Sequence, residues 1–136
     1  MPTLKTYDLF ISHSWDYNAE YNRLTRMLRD ASYFKWRNYS VPREDPADAG
    51  SDAALTRALK RQVRPVNCVL ILAGMYAAHR KWIQKEIDIA KELGKPIVGI
   101  RPWGSQRTPI AVSSAAKEMV GWNTQSIVRA IRAYSL

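Results

Sequence analysis

Asn67-Cys68-Val69-Leu70-Ile71-Leu72-Ala73 decides the fold. The run is apolar almost throughout, lacks polar alternation and contains β-branched side chains, so it reads as a strand buried on both faces of a sheet. Tyr7 to Ser12 and Pro96 to Ile100 have the same character. A strand covered on both sides needs helices above and below it, and helical patterns lie between these runs.

The first helix is expected to start near Asp16 or Asn18, either able to cap free N–H groups, and to end near Ala31. It places Tyr21, Leu24, Met27 and Leu28 on one face. A second, more polar strand is expected from Lys35 to Val41, followed by a loop enforced by Pro42, Pro46 and Gly50. Ser51 can cap the next helix, which presents Ala54, Leu55, Ala58, Leu59 and Val63 and stops before Pro65. A third helix from about His79 to Leu93 points Ile83, Ile87, Ile89 and Ala90 inward and ends at Gly94. Arg101 to Ser114, rich in Pro, Gly and Ser, reads as a long surface loop, Lys117 to Gly121 as a short fifth strand, and Thr124 to Tyr134 as a closing amphipathic helix. Strands alternating with helices predict an α/β three-layer sandwich. Its parallel five-stranded sheet has the flavodoxin-like order 2-1-3-4-5, with helices on both faces. Ligands of such folds bind beyond the carboxyl ends of the strands, where the first and third diverge. The segments there are Ser12 to Tyr17, Val41 to Gly50 and Gly74 to Lys81.

The 136 residues suit one domain, 1–136, with 46% hydrophobic and 24% charged residues. No apolar run is long enough to cross a bilayer, and Met1 to Thr6 lacks the apolar core of a signal peptide, so a cytoplasmic protein without a membrane partner is expected. Cys68, the single cysteine, lies inside an apolar run and reads as a small buried hydrophobe. The formal charge of +9 attracts polyanions in general. Its basic residues are spread over several helices and match no nucleic-acid motif, so solvated helix faces are the simpler reading and nucleic acid is not the expected partner.

Several chemistries are excluded. There is no GxxxxGK[ST] loop and no GxGxxG turn, and no aspartate ends the third strand, where Ala73-Gly74 stands instead of a phosphoacceptor. His13 and His79 with one cysteine do not make a zinc site, and no metal is expected.

What remains is a resemblance. Tyr7-Asp8-Leu9-Phe10-Ile11-Ser12-His13 is similar to the first signature box of TIR domains, (F/Y)DxF(I/L)S(Y/H). Arg37-Asn38-Tyr39-Ser40-Val41-Pro42 with Asp45-Pro46, Val69 to Tyr76, Lys81 to Ile87, Arg101-Pro102-Trp103-Gly104 and Val120-Gly121-Trp122-Asn123 extend it over nearly the whole chain. Together they resemble the TIR-like family typified by the Thoeris antiphage protein ThsB.

The resemblance implies an enzyme that takes NAD⁺ as substrate, not as cofactor, and releases nicotinamide. The product would be a cyclic ADP-ribose-type nucleotide that activates a separate effector protein. In catalytic TIR domains a glutamate on the third helix assists cleavage of the N-glycosidic bond, and Glu86 holds the matching position. Read without the family, Glu86 is a solvent-exposed acid paired with a basic helix neighbour. Trp82, one turn earlier, can stack on a flat ring. Ser12, His13, Ser14 and Trp15 follow the first strand, where hydroxyls and backbone N–H groups can meet ribose or phosphate; His13 taken alone reads as structural. Asp45 falls in the loop that gates the pocket and mediates assembly in TIR domains, which leaves a homo-oligomer open, and it serves equally well to start a turn with Pro46. Trp36 and Trp122 read as packing residues, and Trp103 as an exposed one. Many TIR domains are adaptors, so a non-catalytic interaction module stays as the alternative.

Overall fold

The computed structural model describes residues 5–12, 19–40, 52–76, 80–102, 104 and 107–136. Five short strands form one parallel sheet: β1 (Thr6–Ile11), β2 (Lys35–Asn38), β3 (Cys68–Leu72), β4 (Ile97–Ile100) and β5 (Glu118–Val120), in the order β2-β1-β3-β4-β5. This is the flavodoxin-like order predicted above. The two central strands explain themselves by composition, since every residue of β3 and β4 is buried. Only helices on both sides of a sheet can achieve that.

The helices are α1 (Ala19–Asp30), α2 (Asp52–Val63), α3 (Arg80–Glu92), α4 (Ile110–Ala115) and α5 (Thr124–Tyr134). α2 packs on α3 and α3 on α4, whereas α1 packs on α5, which divides them between the two faces of the sheet. Their inward stripes are the expected ones: Leu24 and Leu28 of α1, Leu59 and Val63 of α2, Ile83, Ile87, Ile89 and Ala90 of α3, and Ile127, Val128 and Ile131 of α5 are buried. Local signals end the helices where chain chemistry requires. Gly94 follows α3 with φ +68°, a conformation that a Cβ would disfavour. Asn123 caps α5, its side chain accepting from the Ser126 N–H at 3.0 Å.

Two expectations need correction. The stretch from Arg101 to Ser114 is not loop throughout, because Ile110–Ala115 forms α4, a short helix that begins directly after Pro109 and buries Val112. β2 is shorter than expected, ending at Asn38. Its pairing with β1 runs only from Thr6↔Lys35 to Leu9↔Asn38, after which Tyr39 N–H still reaches Leu9 O at 2.8 Å. As an edge strand it has one neighbour and little to bury, which fits its mostly exposed side chains. The expected starts at Asp16, Asn18 and His79, the Ser51 cap, the Val41 strand end and the loop from Val41 to Gly50 lie outside the described residues.

The amino end of the sheet is closed by Asn67. Its N–H donates to Asp8 O at 2.7 Å, its side chain accepts from Asp8 N–H at 2.8 Å, and its carbonyl accepts from Leu136 N–H at 3.1 Å. Lys5 Nζ in turn donates to Leu136 O at 2.9 Å. At the carboxyl end, Ser12 follows β1 and Ala73 and Gly74 follow β3. Among the described residues no helix is long and apolar enough to cross a membrane.

Candidate functional site

β1 and β3 are neighbours, and their outgoing segments lead to α1 on one face of the sheet and α3 on the other. The crevice this divergence opens is where ligands of the fold bind. At the end of β1, on that side of the sheet, stands Ser12, which is fully buried. The Ser12 N–H donates to Leu70 O at 2.9 Å and its hydroxyl oxygen accepts from Leu72 N–H at 2.8 Å, so the side chain continues the ladder between β1 and β3 where backbone pairing stops. A second hydroxyl does similar work on the other side of β1, Ser40 Oγ accepting from Ile11 N–H at 3.1 Å. Ser12 thus holds the rim together in addition to whatever its hydroxyl proton can reach. His13, Ser14, Trp15 and Asp45, expected beside it, lie outside the described residues.

Glu86 is on α3, and the helix turns it inward. Ile83, Glu86, Ile87 and Ala90 form one buried stripe at steps of three and four, and Glu86 is 1% exposed. The solvated, paired acid of the simpler reading is not what the chain builds. Both carboxyl oxygens are sealed from solvent without a hydrogen bond. Burial pushes the Glu86 pKa well above the usual carboxylate range. The Trp82 indole, one turn back, pulls the other way. Trp82 itself is half-buried against the core. The two residues therefore lie close on the same helix, the aromatic plane beside the acid.

An orphaned buried carboxyl costs stability, of the order of 1–3 kcal/mol for an unmet polar group. An apolar side chain at the same place in the stripe would remove that cost, so packing gives no reason for an acid here. Buried acids with displaced pKa concentrate where ligands bind, because a ligand supplies the missing partner.

The outward face of α3 is a different environment. A groove of about 630 Å³ between α2 and α3 is lined by Thr56, Tyr76, Arg80, Lys81, Gln84 and Lys85 among others. Its polar groups are largely engaged with one another: Tyr76 donates to Gln84 Oε1 at 2.9 Å, Gln84 donates to Asp88 at 2.9 Å, Lys85 donates to Thr56 Oγ1 at 3.1 Å, and Arg80 lies 5.8 Å from the Tyr76 ring centre. Glu86 points away from it. At the carboxyl end of β4 and β5 a smaller hollow is lined by Arg101, Pro102, Gly104, Gly121 and Trp122, with Trp122 Nε1 donating to Arg101 O at 3.0 Å. Trp36 and Trp122 pack partly buried against the core, and Trp103 is outside the described residues. No group of three or more potential metal ligands occurs among the described residues.

One residue that sequence reasoning did not single out belongs at this rim. Glu20, in the first turn of α1, lays its carboxyl against Gly74, just past the end of β3. No local pattern announces this, because the contact joins segments far apart in the chain.

Compared with known proteins, residues 10–107 match the family model described as "Thoeris protein ThsB, TIR-like domain". No curated protein matches the chain by sequence. Among solved structures, a 3-dehydroquinate dehydratase-like protein from Bifidobacterium longum overlays with a TM-score of 0.47 and 8% identity, over 95% of this chain and 94% of that one. So distant a likeness assigns no chemistry.

Proposed function

The chain belongs to the TIR-like domain family of the Thoeris protein ThsB, and from that membership we propose that it cleaves the bond between nicotinamide and ribose in NAD⁺. The product is a cyclic ADP-ribose-type nucleotide that activates a separate effector protein in antiphage defence. The observation that carries this reading is the Glu86 carboxyl, 1% exposed, unpartnered and set in the stripe that α3 turns toward the sheet.

The chemistry follows from that environment. Without substrate, burial favours the neutral acid. The nicotinamide ring of NAD⁺ is cationic, so its arrival favours loss of the Glu86 proton to solvent, with ribose hydroxyls supplying the hydrogen bonds that the carboxylate oxygens lack. As the C–N bond breaks, its electron pair passes to the ring nitrogen, nicotinamide leaves neutral, and positive charge moves onto the ribose. A fixed carboxylate in a water-poor setting stabilises that charge more than it does the ground state. Capture by the adenine ring of the same molecule closes the cycle and moves the positive charge onto the adenine, which can lose a proton to solvent, and Glu86 takes a proton back from solvent when the product leaves. Trp82, beside the acid, offers an aromatic plane against which the departing ring can lie.

Purified protein incubated with NAD⁺ tests the reading through nicotinamide release. Glu86→Gln keeps the shape and removes the charge, and the rate is expected to fall about 100-fold to 1,000-fold, the usual loss for one electrostatic stabiliser. Equal release from wild type and Glu86→Gln would remove the proposed role. Because a cellular trigger can be required, small molecules are also compared by mass spectrometry in cells expressing either form, with and without phage. Defence that survives Glu86→Ala would favour the interaction module instead.

A further inference from the structure

Among the described residues, two carboxyl side chains contain oxygens sealed from solvent with no hydrogen-bond partner: Glu86, discussed above, and Glu20. Glu20 stands in the first turn of α1, the helix that follows β1, and its carboxyl lies over Gly74, which follows β3. A Cβ placed on Gly74 would fall 2.6 Å from Glu20 Oε1 and 3.0 Å from Oε2. The side chain therefore reaches from α1 to the segment that follows β3, and in this pose it leaves no room for a side chain at residue 74.

Helix physics does not account for this pose. An acid in the first turn gains from the partial positive charge of the helix start. That gain is equally available with the carboxyl in water, where its oxygens would be hydrated. The side chain is only part-buried, but its Oε2 is sealed from solvent, and that burial raises the Glu20 pKa. Nothing in the described chain returns a hydrogen bond to the sealed oxygen. The chemistry of the pair narrows what does. An acceptor-rich group lying on bare glycine backbone suits small neutral donors and repels phosphate, and a sugar hydroxyl fits both conditions.

We propose that Glu20 is a second ligand-binding carboxyl of this site, holding ribose hydroxyls of the nucleotide from the α1 side of the crevice. The inference rests on the NAD⁺ reading above. It adds a residue, on α1, to a site otherwise carried by Glu86 on α3.

Binding of ADP-ribose is measured by calorimetry in the Glu86→Gln background, where turnover does not interfere, alongside carbon-13 spectra of glutamate carboxyls. The Glu20 resonance is identified by its loss in Glu20→Gln. ADP-ribose is expected to move that resonance, and Glu20→Gln to weaken binding about tenfold, the value of one hydrogen bond to a charged group. An analogue without the 2′- and 3′-hydroxyls is expected to bind both forms equally. Gly74→Ala, which displaces the carboxyl without changing it, should reproduce the loss and add nothing to Glu20→Gln. If ADP-ribose binds but the Glu20 resonance stays fixed and Glu20→Gln binds as tightly, Glu20 is not a ligand residue and the NAD⁺ reading stands without it. If ADP-ribose binds no form and NAD⁺ is not cleaved, the nucleotide reading falls and takes this inference with it.

Discussion

Replacing Glu86 by Gln should change how stability depends on pH, in a direction the burial dictates. In the unfolded chain the carboxyl titrates near its model value of 4.5, whereas in the folded protein burial holds its pKa well above that. Below the unfolded value both states carry the proton, so the acid is neutral in each and imposes no charge penalty. Above it the unfolded chain releases the proton while the folded one keeps it, so stability falls with rising pH. The slope approaches 1.4 kcal/mol per pH unit, about one proton's worth. The decline stops where the folded carboxyl itself ionises. Because Glu86 is fully buried, solvent screening does not dilute this coupling. Glutamine does not titrate, so the stability of Glu86→Gln minus that of wild type should rise from about pH 4.5 upward and level off at the native pKa. Urea denaturation of both proteins at half-unit intervals from pH 4 to pH 8, roughly the range over which the coupling acts, measures the difference directly. Contributions from other ionisable groups are common to both and cancel. Parallel curves, with a constant difference across that range, would mean that Glu86 is hydrated in the folded protein and would refute the burial argument.

Three further outcomes follow from the same structure. Ser12→Ala removes the acceptor for the buried Leu72 N–H and should cost about 1–3 kcal/mol in chemical denaturation; an unchanged midpoint would mean that water takes the place of the hydroxyl. In Gly99→Ala the added methyl collides with Met119 Sδ across the β4–β5 pairing and comes within 2.7 Å of its Cε. About 1–3 kcal/mol of destabilisation is expected, largely recovered when Met119→Ala is added, and no recovery would place the strain elsewhere. Burial pushes the Cys68 thiol up to about 12, so alkylation at neutral pH should proceed only as fast as the protein opens; labelling of native protein at the rate of a free thiol would contradict the core packing around β3.

The sheet was legible because β3 and β4 are buried on both faces and so have few polar residues to confuse the pattern. α5 was placed from Thr124 to Tyr134 for a related reason, its apolar stripe being long enough to show a period. α4 escaped because six residues with a single buried side chain, Val112, give no period to read, and the surrounding prolines and glycines argue for loop. Glu86 was placed by family likeness, yet its burial had a signal of its own: it occupies the i+3 position of a stripe otherwise made of Ile83, Ile87 and Ala90. An acid inside an apolar stripe is either forced outward or kept in for a reason, and only the packing of α3 against the sheet decides which. Glu20 left no such mark, since its meaning comes from Gly74 across the crevice.

The tie between Lys5 and Leu136 has a practical consequence. Both residues meet at the amino edge of the sheet, and the six residues of β1 put the opposite edge roughly 20 Å away. A fluorophore or affinity handle attached at either residue stays clear of the opposite edge, so it can be used in the binding measurements described above without crowding the proposed ligand site. A short peptide bridge between the same two residues should also permit a permuted chain, opened at the exposed Gly94 turn.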